Sequence, residues 1–168
     1  MKKSLLLFAF ISAFVFGLAD VAMATGKEKI ITFTPQFVSL KSNVVNMRVG
    51  PKETYSILWE YHAKGLPVEL LAKYGNWRKI KDFDGSVGWV WRGTISGKRT
   101  FRLIASSLLL REPDKSSSAV AKLELGIMGA LISCPKTHPS FCRVEVQGYQ
   151  GWLPKEVIFG IYPNEVIE

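Results

Sequence analysis

Short apolar runs separated by Gly, Pro and Asp residues recur along the chain, a pattern that predicts β-strands and tight turns. The strongest hairpin signal lies in residues 77–91, where two runs containing apolar and aromatic residues flank Asp84-Gly85. Asp-Gly suits a two-residue type I′ turn, because both central residues of that turn need positive φ. We therefore predict a tight β-hairpin with Asp84 and Gly85 at its tip.

The order of residues in this hairpin recurs in residues 141–153, which indicates a tandem repeat. Earlier segments are repeated as well, and the alignment places Arg48 and Arg111 at the same repeat position. Helical periodicity is weak in both copies, and each contains about five short strand signals. The pattern predicts an all-β fold with two small barrels or sandwiches. The matched hairpin positions are Trp77 with Phe141, Ile80 with Val144, and Gly88-Trp89-Val90 with Gly151-Trp152-Leu153.

The N-terminal segment has the features of a secretory signal peptide. Lys2 and Lys3 precede an apolar run that is short for a membrane span, and Ala22-Met23-Ala24 forms a small-x-small cleavage site. An uncleaved N-terminal anchor is the alternative. We expect an exported protein, periplasmic or associated with the cell envelope, with no integral membrane span in its mature chain. The predicted segments are a signal peptide (1–24), a flexible lead that can add an edge strand (25–36), repeat one (37–95), repeat two (99–160) and a C-terminal tail (161–168).

Several short motifs resemble the bacterial SH3-like domain family. In repeat one they are Asn46-Met47-Arg48-Val49-Gly50-Pro51, Gly65-Leu66-Pro67-Val68, Trp77 three residues before Ile80, and Gly88-Trp89-Val90. Repeat two keeps Arg111 and Pro113 but has Leu109, Glu112 and Phe141 where the family pattern has Asn, Gly and Trp. The resemblance implies a five-stranded, partly open barrel in each repeat. It also implies a binding role, commonly toward peptidoglycan or peptide ligands.

The aromatic residues of repeat one are the candidate binding site. Alternate residues of a strand share a face, so Trp77, Trp89 and Trp91 point outward if Ile80 and Val90 are in the core. Aromatic rings with a basic rim suit peptide or sugar ligands. Two alternatives stay open for the tryptophans: they cover the contact between the repeats, or Trp89 is a core residue. The candidate ligand-binding residues are Arg48, Tyr55, Trp59, Trp77, Trp89 and Trp91; for Arg48 and Arg111, salt bridges to local carboxylates are the alternative.

The chain contains two cysteines, Cys134 and Cys142, which the repeat alignment places at the positions of Lys73 and Arg78. Those positions flank a hairpin and face each other, and an exported chain meets an oxidising compartment, so we predict a disulfide. A zinc site formed with His138 and His62 is one alternative, and a Cys-His catalytic pair is another. We expect no metal and no catalytic residue.

The formal net charge of +8 favours anionic partners. For an exported protein these are cell-wall or membrane surfaces rather than nucleic acid, although a basic surface that is simply solvated is the alternative. Neither repeat contains a Gly-rich phosphate loop or a recognisable pair of catalytic carboxylates, so no cofactor is expected. The sequence predicts a non-enzymatic module that binds a cell-wall polymer, peptide or glycan. The alternative is an adaptor that binds an extended peptide of an envelope protein.

Overall fold

The computed structural model describes residues 29–168, which form two antiparallel β-sheets joined by a short link. The all-β, two-repeat prediction is confirmed. Each sheet contains seven strands rather than five. One additional strand follows the closing 3₁₀ turn of each repeat, at residues 95–96 and 158–159, and the segments at the other sheet edges, residues 57–61 and 119–123, are also strands. The first sheet comprises β1 (Ile31–Leu40), β2 (Val45–Arg48), β3 (Ile57–Tyr61), β4 (Pro67–Tyr74), β5 (Trp77–Lys81), β6 (Val87–Trp91) and β7 (Ile95–Ser96). The second comprises β8 (Thr100–Leu103), β9 (Ser107–Leu110), β10 (Ala119–Leu123), β11 (Met128–Ser133), β12 (Phe141–Val146), β13 (Tyr149–Pro154) and β14 (Ile158–Phe159).

The two sheets have the same topology. The strand order is β3-β2-β6-β5-β4-β1-β7 in the first and β10-β9-β13-β12-β11-β8-β14 in the second, so each strand has a counterpart seven places later. The 3₁₀ turns Arg92–Thr94 and Lys155–Val157 also correspond. Each repeat has its own apolar core, which indicates two separately packed units. Fully buried members include Met47, Val68, Ile80 and Val90 in repeat one, and Phe101, Leu109, Val144 and Leu153 in repeat two.

The type I′ turn predicted at Asp84-Gly85 is wrong, whereas a turn of this type occurs in repeat two. Between β12 and β13, Gln147 has φ 50° and Gly148 has φ 87°, as this turn requires. Between β5 and β6 the loop is longer, and of its residues only Gly85 has a positive φ. Asp82 organises this loop by accepting hydrogen bonds from the backbone N–H groups of Asp84 and Ser86. The hydrogen bonds to the buried Asp82 therefore determine the loop conformation, and the preference of Asp-Gly for a type I′ turn does not.

Both ends of the described chain pack against the repeats. Residues 31–36 of the lead belong to β1, where Ile31 pairs with Lys73. The C-terminal tail folds back on repeat two: Ile161 is buried in its core, and Ile167 forms a β-bridge with Cys134. Burial of Ile161, with partial burial of Ile167, offsets entropy lost on ordering the tail. The predicted signal peptide lies outside the described residues.

The predicted disulfide between Cys134 and Cys142 is present. The strand pairing confirms the repeat alignment here, because Lys73 pairs with Arg78 where the two cysteines face each other. In this oxidised form neither sulfur is a free thiolate. Among residues 29–168 no group of His, Cys, Asp and Glu is arranged to hold a metal ion.

Aromatic side chains join the two repeats. The Phe37 ring in repeat one contacts Phe159 and Tyr162, with centroid separations of 5.1 and 4.7 Å. The Tyr162 hydroxyl donates a hydrogen bond of 2.6 Å to the carboxylate of Glu69, which also pairs with Lys81. We call this set of five residues the junction.

Glu69 and Lys81 carry the opposite charges of the junction. Burial opposes ionisation of its carboxyl group, but the hydrogen bonds from Lys81 and Tyr162 outweigh burial and lower its pKa. Burial, with Glu69 adding to it, raises the pKa of Tyr162, which remains a neutral hydrogen-bond donor. Beside the junction, the guanidinium of Arg102 lies 4.0 Å from the centre of the Phe83 ring, a cation–π contact between the repeats.

Candidate functional site

A groove on the outer face of repeat one brings together part of the predicted site. It has a volume of about 250 Å³ and lies where β2, β5 and β6 meet the loop after β2 and the 3₁₀ turn. The groove is formed within one repeat, so Trp77 and Trp91 do not cover the contact between repeats. Its lining residues are Val44, Asn46, Arg48, Glu53, Trp77, Trp91 and Thr94.

Strand register places the groove side chains on one face. Trp77 pairs with Trp91, and Arg48 pairs with Trp89, so these residues lie on the side opposite the buried Ile80 and Val90. Asn46 is two residues from Arg48 on β2 and therefore shares that face. Trp77, Trp89 and Trp91 therefore share the face that was predicted for them from the alternation of side chains along a strand.

Two tryptophans form the wall of the groove. Trp91 is 41% exposed, whereas Trp77 beneath it is 8% exposed. Their ring centroids lie 5.7 Å apart and the planes meet at 79°, an edge-to-face contact. The absence of a side chain at Gly93 leaves space for the Trp91 ring, because a Cβ atom at this position would lie 3.1 Å from the indole. The expectation that Trp77 is an exposed ring is wrong, since Trp91 covers it.

Asn46 contributes an unused hydrogen-bonding group. Its Oδ1 atom is buried and has no partner within the described chain. Buried polar atoms normally have a partner, so an unpaired amide oxygen beside a groove marks a position for a ligand donor. Arg48 next to it is held in place, because its Nη1 atom donates a hydrogen bond of 2.7 Å to the Tyr55 carbonyl. The alternative role of Arg48, a salt bridge to a local carboxylate, is not seen among residues 29–168.

The remaining predicted residues lie outside the groove. Trp89 is 6% exposed, between its strand partners Arg48 and Lys79, so its predicted role as an exposed ligand contact is wrong. Trp59 is exposed but pairs with the buried Met47, which places it on the opposite face of the sheet. Tyr55 packs its ring over Gly50, where a Cβ atom would come within 2.7 Å, and supports the groove through its carbonyl group.

The sequence interpretation missed four lining residues. Asn46 had a signal, because it belongs to the quoted family motif and shares a strand face with Arg48. Thr94 follows Trp91 in the 3₁₀ turn and donates a hydrogen bond of 2.7 Å to its carbonyl oxygen. Val44 and Glu53 reach the groove through the path of irregular segments, which no local pattern predicts.

Repeat two does not place an arginine at the position of Arg48. Arg48 pairs with Trp89, and the corresponding partner of Trp152 is Leu110. A Cβ atom on Gly88 would lie 2.8 Å from the carbonyl oxygen of Arg48. A Cβ atom on Gly151 would lie 2.6 Å from the carbonyl oxygen of Leu110, so this contact also matches Arg48 with Leu110. The predicted equivalence of Arg48 and Arg111 is therefore wrong by one residue.

Comparison with known proteins supports the resemblance for repeat one. The sequence model described as "Bacterial SH3 domain" matches residues 41–97. A search of curated proteins found no match. Among solved structures, NlpC1 and NlpC2 from Trichomonas vaginalis are similar, at 12% and 11% identity and a TM-score of 0.35 each. The alignments cover 74% and 75% of this chain but only 45% and 48% of those proteins, so the chain spans less than half the length of each.

The matched segment contains every residue that lines the groove. It begins before Val44 and ends after Thr94. The groove therefore lies in the part of this chain, residues 41–97, that is similar to the bacterial SH3 domain.

Proposed function

We propose that this chain is an exported, non-enzymatic binding module that recognises a peptide or glycan of the cell wall through the groove of repeat one. The observation that carries the proposal is the unpartnered Asn46 oxygen beside the Trp77–Trp91 pair. A ligand with an N–H or O–H donor and a flat apolar surface satisfies both features. Peptide bonds and sugar rings of peptidoglycan offer this combination.

The charges of the groove favour a ligand with polar groups of both kinds. Arg48 and Glu53 line the same depression without forming an ion pair among the described residues. Because Arg48 is fixed by the Tyr55 carbonyl, its remaining N–H groups are held in one place and lose little freedom when a ligand binds. Trp91 supplies an exposed aromatic surface that stacks on the ligand.

Retention on purified peptidoglycan sacculi tests the proposal. Exported chain is incubated with sacculi at low and high salt, and the bound fraction is measured after sedimentation. We expect retention that survives high salt and falls at least about tenfold in Trp91→Ala, the loss typical of a central aromatic anchor. Retention that vanishes at high salt would indicate attraction by net charge alone and would contradict the proposal.

Trp59→Ala is the matched control. It removes the same side chain from the same repeat, but on the opposite face of the sheet from the groove. We expect the retention of this variant to equal that of the unmodified chain. Asn46→Leu provides a second probe, because it replaces the free acceptor with an apolar group of similar size and should lower retention without exposing new surface.

A second candidate function is suggested by the edge strand β3. Ile57, Leu58 and Trp59 are consecutive, and each is 45–58% exposed, on a strand whose outer edge has no neighbour among residues 29–168. Such an edge can pair with an extended peptide of an envelope protein. If Trp59→Ala abolishes capture of an envelope protein while Trp91→Ala does not, the adaptor function is favoured over wall binding.

A further inference from the structure

The outer face of repeat two carries a depression with different chemistry from the groove of repeat one. It has a volume of about 300 Å³ and lies beside β13, on the face where Trp152 pairs with Arg143. Its lining residues are Arg111, Glu112, Arg143, Gln150, Gly151 and Trp152. Two arginines beside a tryptophan replace the paired tryptophans of repeat one.

The one-residue difference between the repeats explains this chemistry. Leu110 occupies the place of Arg48 and is 5% exposed. Arg111 therefore follows the end of the strand, where it lines the depression from the loop side. Arg143 approaches from β12, the strand on the other side of β13. Two arginines from different elements thus line one depression.

The arginines have capacity for an anion. Neither Arg111 nor Arg143 makes an ion pair within residues 29–168. One N–H of Arg143 is held by the Gln150 side-chain oxygen at 3.0 Å, which orients the guanidinium. Of the described residues that line the depression, Glu112 alone is a carboxylate, so these residues together carry a net positive charge. Guanidinium groups stay protonated at any physiological pH and bind planar oxyanions through two hydrogen bonds.

Trp152 adds an aromatic surface beside these charges. It is half-buried, more accessible than the equivalent Trp89, and His138 stands edge-on to its ring at 5.6 Å. A flat or cyclic group carrying an anion can therefore stack on Trp152 while the anion meets the arginines. We propose that repeat two contains a separate site for a carboxylate attached to a compact body, such as an acidic sugar or the free end of a peptide.

Nuclear magnetic resonance of the exported chain tests the site directly. The indole N–H signal of Trp152, assigned with Trp152→Phe, reports on repeat two, and that of Trp91 reports on the groove of repeat one. N-acetylalanine and glucuronate are the carboxylate probes, and N-acetylalanine amide and glucose are their neutral counterparts. We expect a saturable shift of the Trp152 signal with at least one carboxylate and none with its neutral counterpart. Comparing the two carboxylates distinguishes a peptide end from an acidic sugar.

Arg143→Gln and Arg111→Gln should each weaken carboxylate binding by about tenfold or more, as expected for loss of a charge-assisted hydrogen bond. Lys122→Gln is the charge-matched control, because Lys122 lies on β10 of the same repeat with its side chain 72% exposed. An equal loss in Lys122→Gln would overturn the proposal by showing a net-charge effect. An unmoved Trp152 signal, or tighter binding of inorganic phosphate than of either carboxylate, would overturn it as well. If the Trp91 signal does not respond to cell-wall fragments, that result contradicts the proposed function of the groove in repeat one and leaves the proposed carboxylate site in repeat two unaffected.

Discussion

Trp91 stands edge-on against Trp77, with ring centroids 5.7 Å apart, and leaves Trp77 only 8% exposed. The exposed ring of this pair is available to a ligand, while the covered ring supports it. Replacing Trp77 should therefore mainly reduce stability, and replacing Trp91 should mainly reduce ligand binding.

Trp77→Ala should destabilise the protein by about 3–5 kcal/mol, since it removes a large buried ring. Trp91→Ala should cost only about 0.5–1.5 kcal/mol, mainly the edge-to-face contact, while lowering retention on sacculi at least about tenfold. Urea unfolding followed by fluorescence measures both free energies. Equal destabilisation by the two variants would show that Trp91 is structural and not a surface for ligands.

The disulfide should stabilise repeat two. Cys134 and Cys142 join adjacent strands across a short loop, and the double variant Cys134→Ser, Cys142→Ser should lower the free energy of unfolding by about 1–3 kcal/mol. Pro135 and Pro139 already restrict this loop in the unfolded chain, which favours the lower part of that range. Thiol titration of protein isolated without reductant should find no free thiol. Two reactive thiols in the exported protein would contradict the prediction.

Acid should weaken the junction. The pKa of Glu69 is lowered in the folded protein, so its contribution to stability is complete above the unfolded value of about 4.5 and is lost as pH falls through the lower folded value. Between pH 7 and 5, titration of Glu69 should have little effect on the melting temperature. Below pH 4.5, protonation of Glu69 should lower the melting temperature.

Glu69→Gln should reduce this acid dependence, because the variant has no carboxylate to protonate. Glu145→Gln removes one exposed carboxylate from β12 and serves as the charge-matched control. Melting curves from pH 7 to 3 for the three proteins compare the slopes. An identical acid dependence in the unmodified chain and Glu69→Gln would assign the effect to other carboxylates.

Processing of the N-terminus can be measured by intact mass. Ala22-Met23-Ala24 predicts cleavage before Thr25. Protein recovered from the exported fraction should have the mass of residues 25–168. A full-length mass in the membrane fraction would instead support the uncleaved anchor.

Much of the fold was predictable from the repeated sequence. Gly88 and Gly151 recur because β6 and β13 approach the backbone of a neighbouring strand too closely for a side chain, and this requirement is visible as a conserved spacing within the chain. The repeat also predicted the disulfide, because Cys134 and Cys142 align with Lys73 and Arg78, which pair in the hairpin of repeat one. Local strand pairing and tandem repetition thus determine most of the topology.

The site was less predictable, because it depends on contacts between distant segments. Alternation correctly gave the face of Trp89 but not its burial, which depends on the strands on either side. Asp82 binds two backbone N–H groups and sets the loop that Asp-Gly alone would have made a type I′ turn. The shift between Arg48 and Arg111 likewise requires strand register, since both motifs read Arg followed closely by Pro.

The junction has a consequence for how two weak sites act together. Phe37 and Glu69 of repeat one are fixed to Tyr162, so the separation of the two outer faces is set by the folded protein and not by a flexible linker. For a ligand that reaches both sites, the effective concentration at the second site depends on whether its own spacing matches this separation. The protein would then discriminate between polymers by the distance between their recognised groups, even where those groups are chemically the same.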